Sequence, residues 1–226
     1  MLAFCGELDR YIPPLEFNNG NFEMMREVYT IVVVLVCSFQ TFAQTPDEYY
    51  RKAETKASLQ DFRGALDDLN KAIEIDPRYI KAFNFRGYIK DELDDYYGAL
   101  QDYNIAIALK SDYSDAYANR GRAKRKLQDF KGAINDYTTA INLNPAEKDA
   151  YLGRGLAHKD AKNYDSAIKD LDKAVKIDPN YAKTYTLRGE VRYLNGDVNG
   201  ACDDIEKAQK LGYMVAMVSF SDYCED

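Results

Sequence analysis

Apolar and polar positions from residue 46 onward recur as a block of 34 residues. In the stretch Ser114 to Glu147, the positions Ala116, Tyr117, Arg120, Gly121, Ala123, Lys124 and Leu127 fall at spacings of three and four. That spacing marks one face of a helix. Gln128-Asp129 interrupts the pattern, and Phe130, Ala133, Ile134, Tyr137, Ala140, Ile141 and Leu143 resume it before Asn144-Pro145. Each block therefore predicts a helix A, a tight turn, a helix B and a break. Five blocks are in phase: 46–79, 80–113, 114–147, 148–181 and 182–215. A period of this length marks stacked helix pairs, each contacting only its neighbours, so the core grows with repeat number.

The conserved phase assigns roles. Ala53, Gly87, Gly121, Gly155 and Gly189 face Ala65, Ala99, Ala133, Ala167 and Ala201, small residues where helices A and B cross closely. Tyr117 and Tyr137 read as core filling that space. Asp61, Asp95, Asp129, Asn163 and Asp197 precede each helix B, where a side-chain oxygen accepts from free backbone amides as an N-cap. Lys52, Arg86, Arg120, Arg154 and Arg188 stand on helix A, and Asp68, Asp102, Asp136, Asp170 and Asp204 follow 16 residues later on helix B. We read this ladder as salt bridges within each repeat, since every cation has its own carboxylate.

Ala116-Tyr117, Asn119-Arg120-Gly121, Ala133-Ile134, Asp136-Tyr137, Ala140-Ile141 and Asn144-Pro145, with their equivalents in the other blocks, resemble the tetratricopeptide repeat family. The resemblance spans residues 46–215, and five phased copies make it specific. It implies an all-α, right-handed α-solenoid of five helix pairs whose helices A line an inner groove. On that geometry the groove residues are Tyr50, Asn84, Phe85, Tyr88, Asn119, Arg122, Arg125, Leu152 and Tyr193, with Glu54, Asp91, Leu156, Lys159, Thr186 and Glu190 beside them. Aromatic, amide and arginine side chains suit an extended peptide, the arginines through carboxylate contacts. The carboxylate clamp of some co-chaperones in this family is disfavoured, because Tyr50, Glu54, Asp149 and Gly153 stand where clamp residues are needed.

Before the repeats, Ile31-Val32-Val33-Val34-Leu35-Val36-Cys37 is a continuous apolar run. It suits the core of an export signal and falls short of the roughly 20 residues of a spanning helix. Ala43, with Thr41 two before it, offers a cleavage site. Residues 1–24 then read as an unstructured upstream extension and 25–43 as a signal peptide, leaving no stable membrane span after cleavage. The alternative is a cytoplasmic chain whose apolar N-terminus has no targeting role.

Composition narrows the function. The chain has 226 residues and a net charge of −7, which gives no electrostatic reason to expect nucleic acid. His158 is the single histidine, beside Lys159 and Asp160, and reads as an exposed surface residue. Neither a phosphate loop nor a nucleophile–base pair is visible. Asp67-Asp68, Asp94-Asp95 and Asp203-Asp204 point in different directions on their helices and read as solvated or ladder positions. The expectation is a non-catalytic adaptor, exported to a bacterial envelope, without cofactor or metal, binding a protein or peptide; a cytosolic scaffold or co-chaperone is the alternative, an enzyme the weaker third. Beyond Gly212, Val215, Met217, Val218, Phe220 and Tyr223 predict an amphipathic helix over 214–224 that caps the open end of the stack. Cys202 and Cys224, the cysteines outside residues 1–43, are a candidate disulfide in an oxidising compartment, with two free thiols as the alternative.

Overall fold

Odd-numbered helices start 34 residues apart in a computed structural model that describes residues 45–213 and Cys224. They are α1 (Pro46–Ser58), α3 (Ile80–Glu92), α5 (Ser114–Lys126), α7 (Lys148–Asp160) and α9 (Ala182–Leu194). Each is followed by its partner: α2 (Phe62–Ile75), α4 (Tyr96–Leu109), α6 (Phe130–Leu143), α8 (Tyr164–Ile177) and α10 (Val198–Lys210). Among the described residues these ten helices are joined by short turns without any strand. Every odd helix packs against the even helix after it, and every even helix against the next odd one. The result is an all-α solenoid. The upstream extension, the export signal and the capping helix predicted over 214–224 lie outside the described residues, and none of the described helices is long and apolar enough to cross a membrane.

The turns have one recurring device. Gln60, Asp94, Gln128, Lys162 and Gly196 all carry positive φ, between 60° and 87°, which ends each odd helix. Only the last is glycine; in every repeat a local pair of backbone bonds, as from Gln60 N–H to the Ala57 carbonyl and Asp61 N–H to the Lys56 carbonyl, holds the turn. Asp61, Asp95, Asp129 and Asp197 then accept from the backbone N–H of Gly64, Gly98, Gly132 and Gly200. A Cβ at Gly132 would stand 2.0 Å from the Asp129 carboxylate, so glycine at that position lets the carboxylate fold onto the amide. The expected cap at Asn163 does not form. The position three residues on is Ser166, where the other repeats have Gly64, Gly98, Gly132 and Gly200.

Four of the five even helices end with Asp76, Lys110, Asn144 and Asp178 at ψ between 87° and 97°, each N–H bonded to the alanine carbonyl four residues earlier. Proline follows three of them and favours that conformation in the residue before it. Lys110 adopts it although Ser111 follows, so proline is not required for the break.

The crossing points are fully buried: Ala65, Ala99, Ala133 and Ala167 have no exposed surface. A Cβ at Gly121 would meet the Tyr137 ring at 3.2 Å and the Ala133 carbonyl at 3.3 Å, so small residues on both sides set the interhelical distance. At the far end, Gly212 has φ 82° and its N–H donates to the Gln209 carbonyl, closing α10. Cys202 on α10 is disulfide-bonded to Cys224, with Cα atoms 5.6 Å apart.

Candidate binding cleft

Charge is organised on two levels, and the first is structural. Arg86, Arg120, Arg154 and Arg188 each grip the aspartate 16 residues later with two N–H groups. The remaining Nη1 of each reaches back to the preceding even helix, to Asn70, Asn104, Thr138 and Asp172. One guanidinium thus joins three helices and also lies 5.3–5.8 Å from the centre of its own repeat's aromatic ring. The planar fork of arginine makes this possible, whereas the ammonium of lysine is a point charge. Lys52 accordingly departs from the expected ladder. It sits over the Tyr49 ring, and Asp68 pairs with Lys56 at 2.5 Å.

Lys56 reveals a second register that the sequence reading missed. Lys90, Lys124 and Arg192 give Asp102, Asp136 and Asp204 a second cation at 2.8 Å. In the fourth repeat that place belongs to His158, whose Nε2 is 4.0 Å from Asp170. His158 is therefore not the exposed surface residue expected, but half-buried against a ladder carboxylate. Burial lowers its pKa, Asp170 opposes that shift and Arg154 adds to it. The signal was present in the sequence as a 34-residue phase of Lys56, Lys90, Lys124, His158 and Arg192.

The second level lies on the odd helices. Arg122 donates from Nε to Asp91 at 2.7 Å, Arg125 from Nη1 to Asp160 at 2.7 Å, and Lys159 from Nζ to Glu190 at 3.0 Å. These bonds join adjacent repeats. Burial pushes the Asp91 carboxyl up, and its Arg122 partner offsets this only in part. Arg122 and Arg125 were expected to face a ligand carboxylate; both are half-buried and ion-paired within the protein, with Arg122 Nη2 and Arg125 Nε left without a partner among the described residues.

Between these helices runs a cleft of about 500 Å³. Of the predicted groove residues it brings together Asn84, Asn119, Arg122, Arg125 and Leu152, along with Leu156. Asn119 donates to the Asn84 amide oxygen at 3.2 Å, a bond from one repeat to the next. Leu152, Leu156, Leu187 and Ala118 supply apolar surface. Tyr50, Phe85 and Tyr88 form a separate aromatic row, with ring centres 5.5 and 6.0 Å apart, and Arg122 lies 4.9 Å from the Tyr88 ring. Tyr193 stands half-buried on α9 and is not among the cleft-lining residues.

Other lining residues escaped the sequence reading as groove positions: Asp115, Glu147, Asp149, Tyr181 and Lys183 at the starts of odd helices, and Tyr137 from an even helix. Tyr137 is 4% exposed, and its ring passes between α5 and α7. A Cβ at Gly153 would stand 2.3 Å from that ring, which explains glycine where the third repeat has Asn119. Burial lifts the Tyr137 pKa to about 12, so its hydroxyl stays protonated at neutral pH.

Comparisons with known proteins agree with this architecture. Two family profiles described as tetratricopeptide repeat match residues 118–182 and 49–79. Among solved structures, MamA is 24% identical, aligned over 71% of this chain and 94% of its own, with a TM-score of 0.64. PilW, described as a widely conserved type IV pilus biogenesis factor, is 18% identical over 77% of this chain and 81% of its own, with a TM-score of 0.72. YrrB, described as a TPR protein with an unusual peptide-binding site, is 19% identical over 79% of this chain and 90% of its own, with a TM-score of 0.60. At these identities the likeness is one of fold. No curated protein sequence matches the chain.

Proposed function

The chain belongs to the tetratricopeptide repeat family, and on that premise we propose that it is a non-catalytic scaffold holding a protein or peptide partner in the cleft between its odd-numbered helices. The observation that carries this reading is the cleft itself. Apolar side chains from α5, α7 and α9 line about 500 Å³ beside a row of amides, which suits a chain with both side chains and backbone to bind. The peptide-binding site described for YrrB, a protein of the same fold, supports it.

We further propose that the scaffold works after export, in a bacterial envelope or outside the cell. The apolar run at residues 31–37 and the Cys202–Cys224 bond support this, since disulfides persist in oxidising compartments. The test uses the full chain expressed in its native host. Crosslinking in intact cells followed by pull-down should capture a partner that the double variant Asn119→Ala/Leu156→Arg loses, with helicity unchanged. Undiminished capture by the folded variant places the binding site elsewhere. N-terminal sequencing of the purified protein should begin at Gln44; a start upstream of residue 31 argues for the cytoplasmic alternative.

A further inference from the structure

The charges in the cleft are of two kinds, those engaged within the protein and those left for a ligand. Arg122 and Arg125 line the cleft with their charge paired to Asp91 and Asp160, although Arg122 Nη2 and Arg125 Nε have no hydrogen-bond partner among the described residues. Among the described residues, none of Asp115, Glu147 and Asp149 is held in an ion pair. Lys148, next in sequence to Glu147, is turned away onto Asp178 at 2.8 Å and lies over the Tyr181 ring. Lys183 is the single cleft-lining cation, among the described residues, outside a salt bridge. The carboxylates therefore dominate the field at this edge of the cleft.

Their proximity is visible in their effect on one another. Burial raises the Glu147 pKa, and Asp115 and Asp149 raise it further, against hydrogen bonds from Ser114 and Asn144. Three carboxylates outside any ion pair among the described residues, beside an apolar floor, are complementary to a basic side chain with apolar neighbours. A second feature points to the ligand's backbone. The hydroxyl end of Tyr137 lies against Gly153 in the same cleft, where its oxygen accepts from the Arg125 guanidinium. Arginine cannot accept, and among the described residues no acceptor is bonded to the tyrosine proton. That hydroxyl proton, at the cleft surface, is free to meet a carbonyl oxygen.

We propose that the cleft selects an extended protein segment carrying a lysine or arginine next to apolar residues, the cation held by Asp115, Glu147 and Asp149 and the apolar side chains by Leu152, Leu156 and Leu187. This deepens the cleft reading above and rests on it. It also inverts the expectation from sequence, in which the arginines would have drawn a ligand carboxylate.

The test measures binding of fluorescein-labelled peptides to the full chain by anisotropy. Three sets share a Leu-Leu pair flanked by lysine, by glutamine or by glutamate. The lysine set should bind most tightly, weaken with added salt, and lose roughly tenfold in affinity with Asp115→Asn/Glu147→Gln/Asp149→Asn. A control with the same charge change at exposed sites, Asp67→Asn/Glu74→Gln/Asp203→Asn, should bind as the parent does. Circular dichroism checks that both variants fold. Equal losses in the two variants mean that net charge alone attracts the peptide, and overturn the proposal. Binding indifferent to peptide charge but abolished by Leu156→Arg also overturns it, while leaving the cleft reading intact. If no set binds, the proposal falls, and the pull-down above then decides the cleft reading independently.

Discussion

In the third repeat Asp136 is held by two permanent cations, Arg120 and Lys124, whereas in the fourth Asp170 has Arg154 and the titratable His158. The third repeat caps α6 with Asp129 folded over Gly132, and the fourth starts α8 with Asn163 and Ser166 and no such bond. Both repeats nevertheless place their helices in the same phase, because both keep the fully buried alanines and the glycines at the crossings. The solenoid is thus specified by small residues at closest approach, while polar reinforcement varies from repeat to repeat. The fourth repeat, with less reinforcement, also supplies Asp149, Leu152, Gly153 and Leu156 to the cleft.

The sharpest way to break this comparison is to remove the common arginine from each repeat. Arg154→Ala strands buried Asp170 with a neutral histidine at pH 7.5, and should cost about 3–5 kcal/mol. Arg120→Ala should cost less, because Lys124 still pairs with Asp136. Replacing both partners, as Arg154→Met/Asp170→Leu, should recover most of the loss, since no charge is then left buried. Urea unfolding of the four proteins reads all of this. Equal losses in the two single variants would show that the second cation contributes nothing.

A smaller effect separates the helix starts. Asp129→Ala should cost about 1 kcal/mol by leaving the Gly132 amide without its acceptor, and Asn163→Ala only a few tenths, because Asn163 makes no cap bond. Matching losses in thermal melts would mean that Asn163 caps α8 in solution.

The smallest expected effect is one of pH. His158 faces Asp170 on α8 and Arg154 on its own helix, with Lys169 and Lys173 around the same recess. Burial holds its folded pKa below the ordinary 6.5. The unfolded chain therefore takes up a proton first, so this residue's contribution is complete above about pH 6.5 and is lost as pH falls through the lowered folded value. His158→Lys should flatten the decline in melting temperature between about pH 6.5 and 5. A parallel decline in both proteins would show that other groups govern acid stability.

Much of the architecture was legible because a solenoid is built from local and nearest-neighbour contacts, so each repeat restates the same rule. The 34-residue phase of alanines, glycines, capping aspartates and ladder arginines leads directly to paired helices, and the second cation register stood there as well, unread. The cleft was legible only in part. Asn84, Asn119 and Leu152 could be placed by phase, because they depend on one helix face alone. Arg122 and Arg125 could not be judged, since their partners Asp91 and Asp160 lie 31 and 35 residues away, in neighbouring repeats.

Sequence by itself determined the helix pairs, their order and the arginine salt bridges within four of the five repeats, because those follow from the 34-residue phase and a constant offset of 16 residues between helix A and helix B. Tertiary structure alone decided which charges stay free. Whether an arginine meets a ligand or a neighbouring carboxylate depends on the side-chain approach of successive odd helices, and the space beside Gly153 depends on a tyrosine reaching through from α6. Those are distances between elements rather than spacings along the chain, and they pair Arg122 and Arg125 within the protein while leaving Asp115, Glu147 and Asp149 outside any ion pair among the described residues.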